Sequence, residues 1–173
     1  MKSTTYSTDN EIVEIVDSHD TVIGTGTRGE IHRMGFFHRA VHMFVFNPAG
    51  QVYIQRRSRS KDRHPGKLDS SAAGHVDSGE TYEETAIREL QEELGIQAEV
   101  KEILRVPASE QTDNEHVVLF EVVTESEPVP NPEEIQWGAF LGRERVTRLM
   151  DEAPEDFVPA FILLWRKFIQ QGR

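Results

Sequence analysis

The chain has no cysteine, which excludes disulfides, thiolate metal sites and thiol nucleophiles together. No apolar run approaches the roughly 20 residues of a membrane-spanning helix, and the Met-Lys-Ser-Thr-Thr-Tyr start lacks the apolar core of a secretory signal. A cytoplasmic protein with no membrane partner is therefore expected. Positive charge is scarce: 19 Lys and Arg against 30 Asp and Glu leave a formal charge of −11. That balance disfavours nonspecific binding to nucleic acid or anionic lipid, so a polyanionic substrate must be met by a local basic patch.

A chain of 173 residues suits one domain with a sizeable core. Residues 1–10 are polar and expected to be flexible, leaving 11–173 as a single domain. Glu11 to Val16 and Thr21 to Gly26 read as a hairpin around Asp17-Ser18-His19-Asp20. Arg39 to Phe46 and Gln51 to Gln55 read as strands joined by a tight turn at Asn47-Pro48-Ala49-Gly50. Leu68 to Ala73 leads up to Gly74, and Val100 to Val106, Glu115 to Val123 and Ile135 to Phe140 are further strand candidates, with a Pro-rich loop from Glu127 to Pro132. Arg143 to Glu152 reads as a short helix. Asp156 to Gln171 reads as a longer one, with Phe157, Phe161, Leu164 and Phe168 at helical spacing. This aromatic stripe is expected to pack on the domain, a homodimer surface being the alternative. The order of elements points to an α+β class, a mixed sheet sandwich flanked by helices with an N-terminal hairpin.

Residues 74–96 carry the densest pattern: Gly74, Glu80, Arg88, Glu89, Leu90, Glu92, Glu93, Gly95 and Ile96 stand in the spacing G-x5-E-x7-R-E-U-x-E-E-x-G-U, where U is a bulky aliphatic. A helical residue turns by about 100°, so Glu89, Glu92 and Glu93 project over one arc. Ala86, Ile87, Leu90 and Leu94 form an apolar stripe that anchors the helix. Thr81 with Glu84 makes a capping-box start and Gly95 a left-handed stop. A Glu-rich helix alone is usually a solvated face; the full spacing sets this one apart. Carboxylates on adjacent turns repel unless a cation sits between them, and hard oxygen ligands select Mg²⁺ or Mn²⁺.

Seven basic residues or histidines lie just upstream: Arg56, Arg57, Arg59, Lys61, Arg63, His64 and Lys67. They read either as a solvated loop or as the charge that neutralises a substrate's outer phosphate. His19, His42 and His116 have no evident partner and read as surface or core histidines. Trp137 and Trp165 read as core or rim residues.

The 74–96 pattern resembles the Nudix box, and the chain is similar to the Nudix hydrolase superfamily over nearly its whole length. From His38 through the box it is similar to the branch that includes isopentenyl diphosphate isomerases. That resemblance implies phosphate contacts by Arg57 and Lys61, followed by Pro65-Gly66. Where the isomerases have a Cys-Gly-His triplet, this chain reads Ala73-Gly74-His75. Alanine has no proton to exchange across an allylic system, so isomerase activity is not expected.

The same resemblance implies a second cation set made of His38, His75, Asp113 and Glu115, suited to Mn²⁺ or Zn²⁺, with His32 only an approximate counterpart of an upstream isomerase histidine. On the other reading, Glu115 is a catalytic or third-metal carboxylate and the histidines are hydrogen-bonding groups. The expected activity is hydrolysis of a diphosphate linkage in a nucleoside diphosphate derivative or related organic diphosphate, by water attack at phosphorus. Glu89, Glu92 and Glu93, with a carbonyl oxygen of Ala73 or Gly74, hold the cation. Arg88 orients a glutamate, and Glu89, Glu92 or Glu115 is the base, a choice the residues leave open. The alternatives are an isoprenoid-diphosphate enzyme and a nucleotide-sensing module that does not turn its ligand over.

Overall fold

The computed structural model describes residues 8–172. Of the N-terminal segment expected to be flexible, residues 1–7 lie outside the described residues, and Thr8–Asn10 form one 3-10 turn. The expected hairpin follows as β1 (Ile12–Val16) and β2 (Val22–Thr27), paired antiparallel. The Asp17 carboxylate closes its turn by accepting from the amides of His19 at 2.8 Å and Thr21 at 3.0 Å. Next comes a short helix absent from the sequence reading, α1 (Arg28–Met34). Thr27 and Glu30 form a reciprocal capping box, and Gly35 stops the helix at φ 70°. The end signals were legible, but two apolar residues in seven, Ile31 and Met34, show no helical period.

The main sheet is built around β3 (His38–Phe46), whose residues are nearly all buried. It pairs in parallel with β8 (Glu115–Val123) on one side, and β7 (Lys101–Val106) adds antiparallel beyond β8. On its other side it pairs antiparallel with β6 (Ala72–His75). The tight turn at 47–50 connects β3 to β4 (Val52–Arg57), yet the two pair only at Phe46 and Val52. Beyond that point β4 turns away to pair with β9 (Ile135–Leu141) and with the two-residue β5 (Leu68–Asp69). β5 and β6 are separated by Ser70 and Ser71. Both serines are fully buried, and the Ser71 hydroxyl donates to the Tyr53 carbonyl and accepts from the Val45 amide. The wedge between β3 and β4 is the frame for the site.

Alternation along β3 sends Val41, Met43 and Val45 to one face and Ala40, Phe44 and Phe46 to the other. The first face is covered by α2 (Tyr82–Leu94) through Ala86, Leu90 and Leu94. Ile87, expected in that stripe, is 47% exposed. The residues at i, i+4 and i+8 from Ala86 already fill the contact, and Ile87 lies about 100° around the helix from it. The second face is covered by α3 (Arg143–Glu152) and α4 (Pro159–Gln170). The last helix starts later than read, with Pro159 in its first turn; Phe157 precedes it and stacks on Phe161 at 5.5 Å. Phe157, Phe161, Leu164 and Phe168 are all buried, so this stripe belongs to the core and offers no surface to a second copy. Trp165 is buried too, its indole N–H donating to the Thr147 hydroxyl at 3.0 Å, while Trp137 sits on the rim with the Arg56 guanidinium over it. The architecture is the expected α+β sandwich, and no helix among the described residues is long and apolar enough to cross a membrane.

Candidate active site

A cleft of about 200 Å³ opens where β6 meets α2 and the basic segment. The box helix reaches it with the ends read from sequence: Thr81 and Glu84 cap each other and Gly95 stops the helix at φ 65°. Its three glutamates are not equivalent. Glu93 is buried and the Glu89 side chain is 14% exposed, whereas that of Glu92 is 58% exposed at the rim. Gly74 is required for close approach: a Cβ there would lie 2.1 Å from Glu89 Oε1. Burial pushes the Glu89 carboxyl up to about 7. Burial, reinforced by the charges of Glu89 and Glu134, drives Glu93 well above the usual carboxylate range. Arg88 ties the helix down, donating to Glu89 at 2.7 Å, Glu80 at 2.9 Å and the His75 carbonyl at 3.3 Å.

His75 follows Gly74 on β6 and is paired with Ala40, so it faces the side opposite the box helix. There it meets His32 from α1, His38 from the start of β3 and Glu115 from the start of β8, with one ligand atom from each lying within 4.8 Å of all the others. His75 Nε2 is 3.3 Å from His32 Nε2 and 3.1 Å from Glu115 Oε1. His38 Nδ1 bonds the Phe36 carbonyl at 3.0 Å; a carbonyl only accepts, so in the neutral ring Nε2 is a bare lone pair. That nitrogen is buried without a hydrogen-bond partner among the described residues, 3.4 Å from a Glu115 oxygen. Burial, with the neighbouring rings adding to it, pushes His32 down to about 3 and His75 down as well. Burial alone would raise Glu115, but the adjoining His38 and His75 rings hold it well below the usual range. Neutral His32 and His75 rings beside an ionised Glu115 are the protonation states a cation requires.

Asp113 does not join this group. It pairs with Arg63 at 2.6 Å and His64 at 2.7 Å instead, and His32 takes the fourth place. The expectation assumed that Asp113 and Glu115 alternate on one strand. In fact Asp113 and Asn114 have positive φ after a 3-10 turn, and β8 begins only at Glu115.

Of the basic segment, Arg57, Lys61, Arg63 and His64 line the cleft. Arg57 is held by Asp69 at 3.2 Å, and Lys61 pairs with Glu134. Asp62 of the same loop accepts from the two terminal guanidinium nitrogens of Arg28, at 2.9 and 3.1 Å. Arg56 instead donates to the Gly66 carbonyl. The sequence reading passed over Gln55, Glu134 and Arg28, of which Glu134 and Arg28 line the cleft. Gln55 donates to Glu93 at 3.1 Å; it directly follows the apolar run 52–54 of β4, a weak signal that was available. Glu134, beyond the Pro-rich loop, carried no signal. His116 is a satisfied core histidine, its Nε2 2.9 Å from the Asp17 carbonyl, and His19 is exposed.

The box helix sets a buried Glu89 against Gly74 of β6. The NUDIX domain model matches residues 36–161, and the chain belongs to the Nudix family. An uncharacterized Nudix hydrolase of Yersinia pestis is 37% identical over 156 residues, covering 90% of this chain and 85% of that one. Such relatives place the chain among Nudix-type hydrolases. Isopentenyl-diphosphate Delta-isomerase 2 of Photorhabdus laumondii subsp. laumondii is 29% identical over 168 residues, covering 94% and 92%. A crystal structure from Deinococcus radiodurans superposes with a TM-score of 0.81 at 30% identity, covering 91% of this chain and 98% of that one.

Proposed function

We propose that this chain is a divalent-metal-dependent hydrolase that cleaves a diphosphate linkage in a nucleoside diphosphate derivative or related organic diphosphate. The observation that carries the reading is the burial of Glu89 and Glu93 one turn apart on the box helix, both carboxyls displaced upward, with Glu89 lying against Gly74. Two carboxylates crowded out of water are relieved by a cation, and the missing Cβ at Gly74 leaves room for a Glu89 oxygen beside the strand. Glu89, Glu92 and Glu93, with a carbonyl oxygen of Ala73 or Gly74, would hold Mg²⁺ or Mn²⁺. When bound, such an ion activates water and stabilises charge on phosphate oxygens. Arg88 keeps Glu89 aimed into the cleft, and Arg57 and Lys61 neutralise the outer phosphate. Glu89 and Glu92 are the two candidates for the base. Glu115, engaged by His38 and His75, is assigned with His32 to a second cation set, for which the orphaned His38 nitrogen is the supporting observation.

Ala73 lines the cleft beside Gly74 and supplies no proton for allylic isomerisation. A steady-state screen of nucleoside, sugar and prenyl diphosphates with Mg²⁺ and with Mn²⁺ tests the reading. Turnover abolished by chelation is expected. Absence of turnover across the panel would favour a ligand-sensing module and overturn the proposal.

A further inference from the structure

Beyond the carboxylates the cleft has a floor of Ala40, His42 and Ala73, bounded by Val158 and Ala160 at the start of α4. Strand register builds it: Ala40 and His42 alternate toward α4 along β3, and Ala73 lies opposite His42 in the β6 pair. Among the described residues no Phe, Tyr or Trp lines the cleft. His42 itself is 4% exposed. Its Nδ1 is 2.8 Å from the Ser70 hydroxyl and 3.8 Å from Asp69 Oδ1. Asp69 is engaged elsewhere, by the Ser70 amide at 2.7 Å and by Arg57 at 3.2 Å.

Ser, His and Asp together suggest a nucleophile, but Ser70 has no exposed surface and cannot reach a substrate. The arrangement clamps the ring instead. The buried orphan nitrogen among the described residues is His38 Nε2; His42 Nε2, which has no protein partner there either, opens onto the cleft.

We propose that His42 is a specificity-determining residue: its Nε2 hydrogen-bonds a hydroxyl on the organic end of the substrate, making the substrate class a sugar or nucleoside diphosphate. This rests on the diphosphate hydrolase reading above. A hydroxyl both donates and accepts, so it matches Nε2 in either tautomer. A prenyl chain would leave that nitrogen desolvated and unpaired, the penalty by which polar sites reject analogues lacking the group.

The test combines histidine-selective ¹⁵N NMR with kinetics on ADP, CDP, UDP-glucose, dimethylallyl diphosphate and pyrophosphate. At least one hydroxylated compound should move the His42 Nε2 resonance, and pyrophosphate should not. In His42→Leu the ratio of kcat/KM for that compound to kcat/KM for dimethylallyl diphosphate should fall at least about tenfold, the value of one good hydrogen bond. His42→Gln, which keeps a donor and an acceptor, should restore part of the ratio. A resonance unmoved by every hydroxylated compound, or an unchanged ratio in a variant with the parent's thermal melt, overturns the assignment. Should the parent hydrolyse no diphosphate, the hydrolase reading fails by itself, while the NMR result still decides the role of His42. Should the leucine variant fail to fold, the glutamine variant and the parent NMR carry the decision.

Discussion

Two groups of charged residues approach β6 from opposite faces, and they are assembled differently. On the α2 side, Glu89, Glu92 and Glu93 come from five consecutive residues of one helix, and Gly74 admits Glu89 to the strand. On the other side, His32, His38, His75 and Glu115 come from four elements spread over 84 positions, 32 to 115 inclusive. The first group is repulsive without a cation, the carboxyls of Glu89 and Glu93 pushed upward by burial. In the second, burial pushes His32 and His75 down while Glu115 is held low. Arg88 touches both, through Glu89 and through the His75 carbonyl. Local helix geometry is enough to cluster like charges, whereas a mixed donor set needs strand register and a separate helix to converge.

The strongest test of that contrast is Glu93→Gln. The amide keeps the shape and the contact to Gln55 but removes the charge. Turnover should fall by more than the roughly 100-fold at the upper end of outer-sphere changes, with the melting temperature retained. Near-parental, fully metal-dependent activity would show that the carboxylate helix is not the cation site. Next in size is the pair Arg57→Ala with Lys61→Ala. Loss of two charge-assisted contacts should raise KM by more than about tenfold on several diphosphates alike, with metal affinity in the absence of substrate scarcely changed. Unaltered kinetics in the folded double variant would return this loop to a solvated role. Gln55→Ala removes the neutral donor to Glu93 and should cost about tenfold in metal affinity, read by titrating Mn²⁺. The smallest effect on Mg²⁺-supported turnover is expected from His38→Ala, below that of Gln55→Ala. Its signature is instead the loss of a bound transition-metal ion by elemental analysis after loading with Mn²⁺ or Zn²⁺. Equal metal content in parent and variant would dissolve the distinction between the two faces.

Much of the carboxylate face was legible because its determinants are local. The capping pair Thr81 and Glu84, the stop at Gly95 and the i, i+3, i+4 spacing of the glutamates all operate within a few residues. Ile87 marks the limit: helical spacing named it apolar, but the width of the contact with the sheet left it outside. The histidine face was read only through a likeness to other chains. It went astray at Asp113, where two consecutive residues of positive φ cancel the alternation that the reading assumed. α1 escaped notice because seven residues are too few for a period, although Thr27, Glu30 and Gly35 stood in capping positions.

By itself, the amino-acid sequence determined the Nudix family, the box helix with its ends, most strands to within a residue or two, and the lack of a thiol at position 73. Those properties follow from composition and from interactions between near neighbours. Only the tertiary structure decided that β3 and β4 part after one pair and leave room for β6. The same is true of the burial of Glu89 and Glu93 while Glu92 stays at the rim, of the Lys61–Glu134 pairing, and of the replacement of Asp113 by His32 among the histidines. Each depends on which distant segments share a strand register or a packing face, a relation that residue spacing along the chain does not encode.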